Sequence, residues 1–113
     1  FETGSSQADL GILGLGMNGH VAFHEPDLNP HLYSGCVKLQ DITLKNLNLE
    51  PGTWGKSYGA GAFNKCKALL IIVSGVKKKD ILLKTLAQPN SPHIPASLLL
   101  NHPDITVLTD FNF

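Results

Sequence analysis

The stretch Asp9–Pro26, DLGILGLGMNGHVAFHEP, decides how the chain is read. Its first half is apolar, short and stopped by glycines, the pattern of a buried strand. Its second half gathers two histidines, a glutamate and a proline in the seven residues after Gly19. Gly14, Gly16 and Gly19 spell G-x-G-x-x-G, the dinucleotide-binding spacing, and Asp41 follows at a suitable distance. That reading needs a helix opening at the third glycine, and Pro26 interrupts it while DLNP (27–30) blocks a restart. His20 and His24 stand four apart and could share a helical face as metal ligands, with Glu25 or His31 as a third. The glycines and the proline oppose that helix, and the glutamate follows the second histidine instead of the first. An acid–base site asks for less geometry. A strand ending in glycines delivers His20 to the carboxyl edge of a sheet, with Asn18 and Glu25 on the same turn to set its tautomer and proton affinity. A tight structural turn carrying a surface histidine satisfies the same spacing.

Outward from this stretch, residues 1–7 (FETGSSQ) read as a connector or frayed start and 8–113 as one domain. SGCVKL (34–39) alternates as a strand does, and DITLKNLNL (41–49) reads as a short helix with Asp41 at its N-cap. EPGTWGKSYGAG (50–61) is expected to be a long glycine-rich loop, and AFNKC (62–66) to add one helical turn. KALLIIVSG (67–75) is a β-branched apolar strand. VKKKDILLKTLAQ (76–88) follows as an amphipathic helix whose apolar face is Val76, Ile81, Leu82, Leu83 and Leu86. ASLLLNH (96–102) is a short helix stopped by Pro103, and ITVLTD (105–110) a last strand. This order predicts an α/β fold with a mostly parallel sheet and flanking helices. LGILGLG and ALLIIV are apolar on both faces and need cover on both sides. Only one long helix is available, so a missing half or a partner chain is expected to supply the rest.

With 113 residues and 42% hydrophobic content the chain can bury a core. Zero formal net charge argues against nucleic acid or an anionic membrane as partner. All nine basic residues are lysines, so no guanidinium fork is available for a phosphate. Cys36 and Cys66 lack C-x-x-C spacing and fit reduced thiols in a cytoplasmic protein, with a single disulfide as the alternative. No apolar run reaches membrane-spanning length and no signal peptide is visible. The chain opens on Phe1, which reads as the remainder of a longer protein. A strand ends at Ser74-Gly75 and a helix begins, leaving amides free at the carboxyl edge. Lys77, Lys78 and Lys79 then oppose the helix dipole by up to ~1 kcal/mol each, which makes sense if an anion docks there; a solvated lysine run is the plainer reading.

The run from Asp9 to Pro26 resembles the signature of the glucosamine-6-phosphate deaminase family, written as apolar strand, G-x-G-x-D/N-G-H-x-A-F-N-E-P. IIVSGVKK (71–78) and IPASLLLNHPDITVLTD (94–110) extend the likeness over nearly all of residues 8–110. Asn18, the Pro30-His31 pair and IPAS look closest to the galactosamine-6-phosphate branch. The resemblance implies the C-terminal half of a modified Rossmann-like α/β fold binding sugar phosphates, without metal, nucleotide or other cofactor. It implies aldose–ketose isomerisation with loss of ammonia from a 2-amino-2-deoxyhexose 6-phosphate, the galactosamine isomer favoured and the glucosamine isomer next. His20 would shuttle the ring-opening proton and Glu25 would pair with it. Gly14, Gly16 and Gly19 would shape the sugar floor, and Lys78 would meet the phosphate. Position 18 is aspartate in the glucosamine enzymes; Asn18 can orient His20 but cannot stabilise imidazolium as an anion would. His24, at a position often asparagine, is expected either to touch substrate or to face solvent; His31, His93 and His102 read as structural. The family's phosphate loop and C2-proton base lie in its first half, outside this chain. Self-association is left open. The alternatives are a 6-phosphogluconolactonase-type hydrolase, which lacks the Glu-Pro pairing, and a non-catalytic sugar-phosphate-binding regulator, which would not need a proton shuttle.

Overall fold

The computed structural model describes residues 8–112, so the connector expected at 1–7 lies outside the described residues. Strands β1 (Leu10–Gly14), β4 (Ala68–Val73) and β5 (Ile105–Thr109) form a parallel sheet in the order β1-β4-β5. Between the first two lie β2 (Ser34–Lys38), α1 (Asp41–Asn46), β3 (Trp54–Tyr58) and α2 (Ala60–Phe63). A 3-10 turn at Val76–Lys78 leads into α3 (Lys79–Ala87), and a second at Pro95–Leu99 precedes β5. The architecture is the expected α/β one, with a parallel sheet and flanking helices.

Two local expectations fail. Strand β2 does not join the parallel sheet but pairs antiparallel with β3 in a separate ribbon. That ribbon uses residues 54–58, which their glycine content assigns to loop. Gly55 there is a close-approach glycine, since a Cβ would meet Phe23 Cδ2 at 2.6 Å and Leu39 Cδ2 at 3.2 Å. A small second core of Val37, Leu39 and Leu44 packs beside it with Phe23, Leu28 and Leu32.

The main core lies on one face of the sheet. Leu69, Ile71 and Val73 of β4 pack against Ile81 and Leu82 of α3, Leu98 and Leu99, and Phe63 of α2. The face of α3 is narrower than its leucine content suggests. Ile81, Leu82 and Thr85 are buried, whereas Leu83, Leu86 and Val76 are exposed. At about 100° per residue, 81, 82 and 85 share one side and 83 and 86 turn away from it. Thr85 enters the core because its hydroxyl donates to the Ile81 carbonyl at 2.6 Å.

The described residues leave the other face of the sheet bare. Leu10 and Ile12 of β1, Ile72 of β4 and Leu108 of β5 are 41–60% exposed. They fall in register, with Gly14 opposite Ile72 and Ile72 opposite Leu108. Among the described residues the shortage of cover expected for two-sided apolar strands is therefore real. Cys36 and Cys66 are free thiols, one exposed and one buried. No helix among the described residues is long and apolar enough to cross a membrane.

Candidate active site

The segment after β1 folds as turns, with no helix after Gly19. The Gly19 N–H donates to the Gly16 carbonyl at 3.0 Å, the Gly16 N–H to the His20 carbonyl at 2.9 Å, and Val21 and His24 form an isolated antiparallel bridge. Gly19 has φ +87°, a left-handed conformation that favours glycine, and it serves this turn. Gly16 answers a different need: a Cβ there would fall on the His20 imidazole, so the ring lies directly against the backbone.

Three oxygens surround Nδ1 of His20. The Asn18 Oδ1 lies 2.6 Å away and also accepts the His20 backbone N–H at 3.1 Å. Glu25 Oε1 and Thr43 Oγ1 are each at 3.3 Å. The Thr43 hydroxyl spends its proton on Glu25 Oε1 at 2.9 Å, so toward His20 it offers lone pairs. Acceptors on this side place the proton on Nδ1 and leave Nε2 as the basic nitrogen available to a substrate. Glu25 is almost wholly buried, yet its carboxylate is satisfied, with Oε2 taking the Gln40 backbone N–H at 2.5 Å. Burial pulls the His20 pKa below its ordinary value, the Glu25 charge pushes it back up, and the Lys78 ammonium lowers it further.

His20 lines a cavity of about 370 Å³ together with Gly14, Gly16, Ile72, Ser74 and Lys78. The cavity sits at the carboxyl ends of β1 and β4, where the sheet's bare face begins. Lys78 reaches it from the start of α3, its ammonium donating to the Leu15 carbonyl, and burial lowers its pKa. One of the amides expected to be free at the β4 tip, that of Gly75, is already taken. Asp110 Oδ2 accepts from the Ser74 hydroxyl at 2.7 Å and Oδ1 from the Gly75 N–H at 2.9 Å; these bonds hold the Asp110 carboxyl below its usual range. The chain's own Asp110 carboxylate thus occupies the Ser74-Gly75 corner. Of the lysine run, Lys78 is the one that lines the cavity.

His24 neither faces solvent nor lines the cavity. It is fully buried, and its Nδ1 accepts the Ala60 N–H at 2.9 Å, tying the turn to α2. Nε2 therefore carries the hydrogen and has no partner among the described residues, and burial lowers the pKa. His102 is likewise structural, with Nδ1 accepting the Asp104 N–H at 3.0 Å and Nε2 2.6 Å from the Cys66 carbonyl. His93 pairs with Asp27 on the surface. Among the described residues no group of three or more His, Cys, Asp or Glu side chains is placed to hold a metal.

Two contributors escape a linear reading. Gln40 and Thr43 lie 15 and 18 residues beyond Glu25, in no motif, and α1 delivers them to the cluster. The N-cap of α1 is Gln40 and not the expected Asp41, and the Gln40 side chain makes no capping bond.

Fold and site together define an α/β domain with a histidine held at Nδ1 by Asn18 at the carboxyl edge of a parallel sheet. No family model matches the chain. Its sequence is 38% identical, over 91% of its length, to a glucosamine-6-phosphate deaminase of Lachnoclostridium phytofermentans, covering 46% of that protein. A second glucosamine-6-phosphate deaminase, from Clostridium acetobutylicum, is 34% identical over 94% of the chain, covering 46% of the relative. The structure superimposes on a monomeric glucosamine-6-phosphate deaminase of the NagB superfamily with TM-score 0.81 and 31% identity, over 89% of this chain and 44% of that one. A 6-phosphogluconolactonase of Trypanosoma brucei shares the fold at TM-score 0.67 and 18% identity, over 89% of this chain and 39% of that one. Over the portion it covers the chain is similar to glucosamine-6-phosphate deaminases, and it spans about half the length of those relatives.

Proposed function

We propose that this chain carries the ring-opening part of an amino-sugar-phosphate deaminase/isomerase acting in the cytoplasm. The observation that supports it best is the imidazole of His20, held at Nδ1 by Asn18 with Glu25 and Thr43 behind it, sharing one cavity with the Lys78 ammonium. Nε2 accepts the proton of the anomeric O1–H as the C1=O bond forms and the C1–O5 bond breaks. The imidazolium then returns that proton to O5, so the step is neutral overall and yields the open aldehyde. Glu25 stabilises the transient imidazolium, and Lys78 meets the phosphate. Gly14, with open space where a Cβ would be, leaves room for the sugar, and Gly16 seats the imidazole.

The later steps, transfer of the C2 proton and loss of ammonia, need a carbon-acid base. Among the described residues no carboxylate lines this cavity. The base and a second phosphate contact belong to the rest of the fold, which in our reading covers the bare face of Leu10, Ile12, Ile72 and Leu108. The substrate class is a 2-amino-2-deoxyhexose 6-phosphate. The galactosamine isomer is favoured over the glucosamine isomer because position 18 holds an amide.

Ammonia release by the full-length protein tests this. Galactosamine 6-phosphate, glucosamine 6-phosphate and 6-phosphogluconolactone are compared, with and without His20→Gln. Ammonia from an amino sugar that vanishes in the variant supports the reading. Acid from the lactone, or ammonia undiminished in the variant, overturns it.

A further inference from the structure

We propose that Gln40 is a positioning residue, locking the Asn18 carboxamide in the orientation that keeps the His20 proton on Nδ1. The inference rests on reading His20 as the proton-transfer group. A carboxamide presents an acceptor and a donor of nearly equal size, so its partners alone decide which end faces the ring. Asn18 Nδ2 has two acceptors, Gln40 Oε1 at 3.1 Å and Glu25 Oε1 at 3.4 Å. The glutamate contact is long and that oxygen already takes the Thr43 hydroxyl, which leaves Gln40 as the main anchor. Gln40 Nε2 faces an acceptor-only group in turn, the Pro26 carbonyl, across a long contact of 3.5 Å that favours this orientation without fixing it.

The bonds therefore run in one direction. Gln40 donates to Pro26, Asn18 donates to Gln40, and His20 donates to Asn18 through both its backbone N–H and Nδ1. Reversing Asn18 would set donor against donor at the ring, and reversing Gln40 would set donor against donor at Asn18. With an aspartate at position 18 the ring would meet an acceptor in either orientation, and no lock would be needed. The Asn18 amide is what gives Gln40 its role: Gln40 holds Nδ2 while the His20 backbone N–H holds Oδ1 at 3.1 Å.

Imidazole nitrogen NMR on the full chain, above the pH at which His20 titrates, reads the tautomer directly. Wild type is expected to show a protonated Nδ1 and a bare Nε2. Gln40→Leu should shift the balance toward protonated Nε2, and Gln40→Glu, which keeps an acceptor for Asn18, should restore it. In an Asn18→Asp background Gln40→Leu should change nothing. An unchanged tautomer in Gln40→Leu overturns the proposal, as does an equal change in both backgrounds. Gln40→Met, which keeps the side chain's length, gives the same reading if the leucine variant does not fold. The measurement needs no turnover, so failure of the proposed activity would leave it intact.

Discussion

The carboxamide oxygen of Asn18 stands 2.6 Å from Nδ1 of His20, nearer than the Glu25 carboxylate at 3.3 Å. The closest partner of the proposed proton shuttle is thus neutral, and the anion stands behind it. A neutral acceptor sets the tautomer but does little to stabilise the charged ring. Replacing Asn18 by Asp adds an anion at the shorter distance. His20 should then titrate at higher pH than in wild type, and NMR titration of the ring proton on Cε1 measures this. No upward movement would remove the electrostatic account of position 18.

Gly16→Ala should separate site from fold. The new methyl would occupy the imidazole's place, while backbone hydrogen bonds of the turn can persist. Ring displacement of this kind costs about a hundredfold in rate when a catalytic group moves by an ångström. The expected outcome is a chain with wild-type circular dichroism and a full-length enzyme with kcat/KM lowered about a hundredfold or more. Near-normal activity would mean that the imidazole position is not critical.

Acid should destabilise the fold through two histidines. Burial holds the pKa of both His20 and His24 below the ordinary 6.5. The unfolded chain therefore binds protons that the folded chain refuses, and their contribution to stability is full above 6.5 and declines as pH falls below it. Urea midpoints measured above and below 6.5 should show this slope, flattened in His20→Gln. A midpoint that rises on acidification contradicts the assignment.

His24→Ala tests the buried strut. It empties a fully buried site and strips the Ala60 N–H of its acceptor. A loss of about 2–4 kcal/mol is expected from the combined cavity and unsatisfied donor. Chemical denaturation monitored at Trp54 or by circular dichroism measures it; a change below about 0.5 kcal/mol would place His24 among neutral positions.

Ile12→Lys probes the bare sheet face. Ile12 is 60% exposed, so the chain's own stability should change by no more than about 0.5 kcal/mol. Binding of an environment-sensitive apolar dye should fall. In the full-length protein, where we propose that this face is covered, the same substitution should be strongly destabilising. Equal tolerance in both contexts would show that nothing packs there.

Much of the fold is legible in the residues themselves. The strands at 10–14, 68–73 and 105–109 stand out as short apolar runs ended by glycine, proline or polar residues. Their two-sided apolar character already implies missing cover. His20, Glu25 and Asn18 stand out because they share a turn, and local sequence carries local geometry. The glycine-rich stretch at 50–61 misleads for a physical reason. Gly55 marks where Phe23 and Leu39 approach the backbone, a contact between residues 16 or more apart that composition cannot show. The β4 tip is likewise incomplete in linear reading, since Asp110, 35 residues beyond Gly75, accepts the Gly75 N–H.

Sequence by itself determined the parallel strands, their glycine-terminated edges and the presence of an imidazole, a carboxamide and a carboxylate on one turn, because these depend on neighbours within a few residues. Only the tertiary structure decided the state of that imidazole. Thr43 and Gln40 come from a different element, and Lys78 arrives from 58 positions beyond His20. A proton's place on a ring is set by whichever donors and acceptors surround it in space. Those partners are brought together by the burial of α1 and α3, whose packing fixes their distances.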